Sequence, residues 1–122
     1  MTSANIILLL AMLQLKHLIV DWCWQPPYEL DNKGTYGHWG GVRHALKNAI
    51  GTGLCVLPFV PWMVPKVILI DFLCHYHIDF SKMNLNRHWG LHPLEHARFW
   101  WLMGADQWAH QMTYLLLTLL VF

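Results

Sequence analysis

The stretch that decides the fold is residues 6–21, IILLLAMLQLKHLIVD, an apolar run that ends in a lysine, a histidine and an aspartate. His17 and Asp21 stand four residues apart, so a helix presents both side chains on one face. An unpaired ionisable group in such apolar surroundings costs several kcal/mol or loses its charge. This pair therefore needs partners from elsewhere in the chain.

The same spacing occurs twice more, each time within or beside a strongly apolar stretch. The pairs are His75 with Asp79 and Asp106 with His110. Three such faces in a chain of 122 residues suggest that they converge around a common ligand. A divalent metal ion is the natural candidate, because imidazole and carboxylate groups are metal ligands.

Composition favours a membrane protein with a polar interior. The chain is 56% hydrophobic and 12% charged and holds nine histidines and eight tryptophans, whereas an average soluble domain is roughly 25% charged. The alternative is a soluble, tryptophan-rich helical bundle. The net charge of +1 gives no basic surface for nucleic acid.

Two other compositional features narrow the class. The three cysteines, Cys23, Cys55 and Cys74, are widely spaced and form no CxxC pair, which argues against a disulfide framework or zinc ribbon. The N-terminal apolar run follows no basic residue and precedes no small-residue cleavage site. We therefore expect a retained first helix and not a signal peptide.

The predicted architecture is all-α: a polytopic, up-and-down four-helix bundle forming a single helical membrane domain over residues 1–122. Apolar runs and proline stops predict helices over residues 5–24, 39–57, 65–80 and from 93 to the C-terminus. Polar segments over 28–37 and 81–92 are predicted loops. Small residues within the second helix, Gly51 and Gly53, would allow close helix packing.

In this topology the histidines and aspartates of the four helices meet at one level of the bundle. The predicted metal ligands are His17, Asp21, His44, His75, Asp79, Asp106 and His110. Six basic residues lie at the same end, namely Lys33, Arg43, Lys47, Lys82, Arg87 and Arg98, and Lys66 lies at the other. The positive-inside rule then predicts an inner (cytoplasmic) membrane protein whose loops and site face the cytoplasm.

The donor set suits zinc or manganese, as one or two ions. Two ions could activate a water molecule against a phosphoester. Three further residues are predicted to serve the chemistry: Lys33 and Lys82 would hold an anionic group, and Gln107 would orient a ligand by a hydrogen bond. Two alternatives stay open, polar bonds that hold the helices together and a proton relay.

The ordered pattern resembles a known family. His17-x3-Asp21-x3-Gln25, Lys33, His44, His75-x3-Asp79-x2-Lys82 and Asp106-Gln107-x2-His110 together are similar to small bacterial and phage membrane proteins known only as a numbered domain of unknown function. That family is distantly similar to membrane-bound metal-dependent hydrolases. The resemblance runs from His17 to His110.

The function expected from these features is metal-dependent hydrolysis of a phosphoester within the membrane. The expected partners are the lipid bilayer and a lipid, lipid-linked or other phosphorylated substrate; no nucleic acid is expected, and assembly into a homo-oligomer is left open. The alternative is a non-enzymatic membrane interaction, pore, lysis or superinfection module, whose His/Asp layer is structural or responds to protons.

Overall fold

A computed structural model describes residues 2–122 and confirms the all-α prediction, with no strand in that range. Its helices are α1 (Ser3–His17), α2 (Pro27–Asn32), α3 (Trp39–Val56), α4 (Val64–His88) and α5 (Ala97–Val121). A π-helical segment, Leu18–Cys23, continues α1, and a short 3-10 turn, Pro61–Met63, precedes α4.

The four long helices form an antiparallel bundle. An apolar cluster at one end joins Leu9 of α1, Val56 of α3, Val67 of α4 and Leu117 of α5. The early parts of α1 and α4 thus meet the late parts of α3 and α5, so successive long helices run in opposite directions. The polar site lies at the opposite end of the bundle, where α1 ends and α3 begins.

Two predicted loops contain helix. The segment 81–92 was expected to be a loop, but α4 continues through it to His88 and stops at Gly90, whose φ of +58° favours glycine. Polar composition had suggested a loop, yet no proline or glycine interrupts residues 81–88. The predicted loop 28–37 likewise includes most of α2, which starts at Pro27. The last helix begins at Ala97 and not near residue 93.

The first predicted helix ends in a π-helical segment, which has a wider turn than an α-helix. The backbone N–H of Trp24 donates to the carbonyl of Ile19 over 2.8 Å, the i to i+5 bond of a π-helix. Asp21 lies within this segment. The sequence predicted an uninterrupted α-helix here, because hydrophobic periodicity over six residues does not separate the two forms.

Two consecutive glycines allow α2 to lie on the start of α3. A Cβ at Gly40 would sit 2.7 Å from the carbonyl oxygen of Tyr28, and one at Gly41 would sit 3.1 Å from the Cα of Lys33. Backbone atoms cannot move aside as a flexible side chain can. The close approach brings Glu29 and Lys33 to the polar end of the bundle, where both side chains are buried.

Many polar side chains are buried in this fold and many large apolar ones are exposed, the reverse of the usual distribution in a soluble protein. Polar and charged side chains are as frequent as apolar ones among the buried residues, whereas large apolar side chains are exposed on the outer faces of all the long helices. One helical stretch, Ser3–Cys23, is long and apolar enough to cross a membrane among the residues described. By length and composition alone, this is weak evidence for a membrane span.

Candidate metal centre

The central part of the site is a group of four residues, Asp21, His44, His75 and Asp79. Asp21 Oδ1 lies 2.7 Å from His44 Nε2 and 3.3 Å from His75 Nε2. Asp79 Oδ2 faces the same two nitrogens, at 3.2 and 3.4 Å. The two imidazole nitrogens are themselves 3.2 Å apart. Each residue offers one ligand atom, and these atoms lie within 4.8 Å of one another.

A second group shares Asp79 with the first. Its other oxygen, Oδ1, lies 3.4 Å from His110 Nε2, which is 3.7 Å from Asp106 Oδ1. These three residues also offer ligand atoms within 4.8 Å of one another. The two oxygens of one carboxylate are therefore turned towards two different ligand groups, as in a carboxylate that bridges two ions.

Most of the ligand atoms in the second group lack hydrogen bonds, although Asp106 Oδ2 accepts one from Gln107. Among the described residues, no hydrogen bond reaches either oxygen of Asp79, Asp106 Oδ1 or His110 Nε2, although all four atoms are buried. A buried polar atom without a partner costs about 1–3 kcal/mol. Three of these atoms, Asp79 Oδ1, His110 Nε2 and Asp106 Oδ1, face one another and fit a bound cation, which would satisfy them together. The fourth, Asp79 Oδ2, faces the first group and lies 3.4 Å from the Lys33 ammonium. These buried Asp and His groups could hold a metal ion.

A small cleft leads to both groups. It has a volume of about 200 Å³, and its walls include Asp21, Lys33, Lys82 and Asp106. The Lys33 ammonium is buried and lies 3.4 Å from Asp79 Oδ2. Lys82 is half-buried, and its ammonium donates to the Met83 sulfur over 3.9 Å. Both predicted anion-binding lysines thus reach the cleft where a ligand would enter.

His17 occupies a different position from the other predicted ligands. Its Nε2 is 3.5 Å from Asp21 Oδ2, but both ring nitrogens are engaged elsewhere. Nδ1 is 2.9 Å from the Tyr114 hydroxyl, and Nε2 is 2.8 Å from Gln107 Oε1. As it lies, the ring offers no free lone pair to a cation. His17 belongs to neither the four-residue group nor the three-residue group.

A directed series of hydrogen bonds passes through His17. Lys16 donates to the Tyr114 oxygen over 2.9 Å, and Gln107 Nε2 donates to Asp106 Oδ2 over 3.0 Å. With Tyr114 donating to His17 Nδ1, the imidazole carries its proton on Nε2 and donates to Gln107. Gln107 therefore contacts the Asp106 carboxylate directly, and the orienting role predicted for it stays a prediction.

Glu29 is a functional candidate that the sequence reasoning missed. Its carboxylate is fully buried in α2 and accepts hydrogen bonds from Arg43 (2.8 Å) and Lys47 (2.7 Å). Its Oε2 also lies 3.3 Å from His44 Nδ1. Burial raises the pKa of Glu29, but the bonds from Lys47 and Arg43 outweigh it and hold the pKa below its usual range. The carboxylate can therefore fix the orientation of His44, as partners of metal-binding histidines do.

We expect Glu29→Gln to weaken binding of zinc or manganese by about 10–100-fold, since the amide neither fixes the His44 tautomer nor raises its basicity. Competition with a chelating dye measures this affinity. Glu95→Gln, at an exposed carboxylate, is the matched control. An affinity within about twofold of the unsubstituted protein would show that Glu29 plays no part in the site.

A second polar cluster lies one helical turn deeper. The Asp71 carboxylate accepts a 2.6 Å hydrogen bond from Thr52 and is 3.6 Å from the Lys16 ammonium. Both charged side chains are more than nine-tenths buried. Asp71 therefore has its own partners and lies outside both candidate ligand groups.

The comparison with protein families gives one result. Residues 8–122 match the family described as "Protein of unknown function (DUF3307)". No curated protein and no solved structure shows a significant match. The matched range covers nearly the whole chain, so the chain belongs to the DUF3307 family.

Proposed function

We propose that this member of the DUF3307 family is a membrane-embedded hydrolase that binds two divalent ions, zinc or manganese, and cleaves a phosphoester. The observation that carries the proposal is Asp79, whose two oxygens face two separate ligand groups. Asp21, His44 and His75 would complete the first ion site, and Asp106 and His110 the second. Imidazole nitrogens together with carboxylate oxygens favour zinc or manganese over calcium, which prefers oxygen ligands alone.

The cleft residues fit an anionic substrate. Lys33 and Lys82 place two ammonium groups beside the ligand groups, which suits the oxygens of a phosphate. Bound ions would supply an activated water molecule and neutralise charge on the phosphoryl oxygens. Hydrolysis consumes one water: its oxygen bonds to phosphorus, the ester P–O bond breaks, and a proton passes to the leaving alcohol. Gln107 would hold Asp106 in position during this step.

The membrane location is part of the proposal. Helices α4 and α5 have 25 residues each and α3 has 18, lengths of roughly 27–37 Å at ~1.5 Å per residue. Their outer faces expose large apolar side chains such as Leu54, Leu69 and Leu119. Apolar patches of this kind favour contact with lipid. The carboxylates of α4 and α5, Asp71, Asp79 and Asp106, are buried, and they lower the overall hydropathy of these two helices. The basic residues at the site end favour an inner-membrane protein whose site faces the cytoplasm.

Metal analysis of the protein purified in mild detergent tests the proposal. We expect about two equivalents of zinc or manganese per chain, phosphoesterase activity that a chelator removes, and loss of both metal and activity in His75→Ala. A metal-free protein that keeps its fold and whose membrane activity resists chelator would overturn the proposal. It would favour the non-enzymatic alternative, a structural or proton-responsive His/Asp layer.

A further inference from the structure

A shallow groove runs along the outside of the bundle between α4 and α5. Its volume is about 430 Å³, within the usual range for small-molecule sites. The part of the groove nearer the apolar end of the bundle is formed by Cys74 and Ile78 of α4 and by Ala109 and Thr113 of α5. The Thr113 hydroxyl donates to the Ala109 carbonyl over 3.2 Å, so it is already satisfied within its own helix. His77 also lines this part of the groove, whose other side chains are apolar or small.

The groove and the polar cleft share two residues. Lys82 and Asp106 line both of them. A molecule could therefore place a charged group between Lys33 and Lys82 and extend an apolar tail into the groove. The Lys82 ammonium, at the junction, is the matching charge for the phosphate of such a molecule.

The direction and length of the groove also fit an acyl chain. From Lys82 one arm of the groove passes Ile78 and reaches Cys74, eight residues nearer the apolar end of the bundle, whereas Leu85 and Leu102 line its other end. Eight residues of α-helix correspond to about 12 Å. A lipid whose headgroup enters the cleft would thus point its chain along α4 towards the centre of the bilayer.

We infer that the substrate is a lipid phosphoester whose acyl chain lies in the groove between α4 and α5. The inference rests on the proposed function and adds the chemical class of the substrate. Both parts of an amphiphilic molecule then have a complementary surface: the two lysines for its phosphate, and Cys74, Ile78, Ala109 and Thr113 for its chain.

Substitution Ala109→Phe tests the inference by filling the groove with a side chain that is not itself one of the ligands. The probes are dioleoyl phosphatidic acid in mixed micelles and soluble dibutanoyl phosphatidic acid. We expect kcat/KM to fall about tenfold or more for the long-chain ester and to stay within about twofold for the short-chain ester. Ala11→Phe, on the exposed face of α1, is the matched control and should change neither value. An equal fall for both esters would overturn the inference.

A binding measurement separates this inference from the proposed hydrolysis. Phosphatidic acid with a photoreactive diazirine in its acyl chain is cross-linked in the presence of chelator, and the labelled residues are mapped by mass spectrometry. Labelling concentrated on Cys74, Ile78 and Ala109, and lost in Ala109→Phe, supports the groove even if no ester is cleaved. If the groove is labelled in this way but the metal-loaded protein cleaves no ester, only the proposed hydrolase activity is overturned. Labelling spread evenly over the exposed faces of α1 and α5 would overturn the groove.

Discussion

Asp79→Asn is expected to abolish binding of both metal ions and to reduce phosphoester hydrolysis to background. Asp79 is the one residue, among those described, that belongs to both ligand groups. The amide keeps the size of the side chain but removes its negative charge and one of its two acceptor oxygens. Loss of an outer partner of a metal ligand already costs about 10–100-fold in affinity, so loss of a shared ligand should cost more than about 100-fold.

Two further variants sharpen this result. His110 belongs to the second group alone, so His110→Ala should release one ion of the two. Asp31→Asn, at an exposed carboxylate of α2, is the matched control and should keep both ions. Metal content is measured by mass spectrometry after dialysis in detergent. If Asp79→Asn retained two ions, the bridging role of this carboxylate would be wrong.

The second large effect is expected at Lys16. Lys16→Met should lower the free energy of unfolding by about 3–5 kcal/mol, because it leaves the buried Asp71 carboxylate without its cation. Methionine preserves most of the length of the lysine stem, which packs beside Gly51. The loss would therefore reflect charge and hydrogen bonding more than a cavity. Tyr114 would also lose the hydrogen bond that it accepts from Lys16.

Unfolding in mixed micelles by a denaturing detergent measures this difference. Lys66→Met removes an exposed lysine from the first turn of α4 and should change stability by less than about 0.5 kcal/mol. The double variant Lys16→Met with Asp71→Asn should recover part of the loss, since the uncompensated charge is gone. Equal destabilisation by Lys16→Met and Lys66→Met would refute a stabilising role for the buried pair.

The sequence predicted where most of the polar residues meet because its strongest signals were regular. Spacing by four residues fixed a common face for His75 with Asp79 and for Asp106 with His110, and proline stops fixed the helix order. Antiparallel helices then bring these faces together, and the structure places their Asp and His side chains in two neighbouring groups. The role of these residues as metal ligands, and the binding of zinc or manganese, stay predictions.

Other parts of the site depend on contacts that no local pattern encodes. Glu29 lies in a six-residue helix whose polar composition suggests a loop, and its burial follows from the glycines at the start of α3. The predicted third helix is shorter than α4, because the polar composition of residues 81–88 indicates a loop. The extra turns matter, since Asn84 donates to the carbonyl of Gly34 over 2.9 Å and so ties α4 to the segment that carries Lys33.

The π-helical segment Leu18–Cys23 has a consequence for how this site can vary. Two of its exposed members, Leu18 and Ile19, have apolar side chains that make no hydrogen bond, so other apolar residues could replace them. Adding or deleting one residue there is another matter, because a one-residue change rotates everything beyond it by about 100°. Asp21 would swing away from His44 and His75. Homologous chains should therefore drift in composition across this segment while preserving its number of residues.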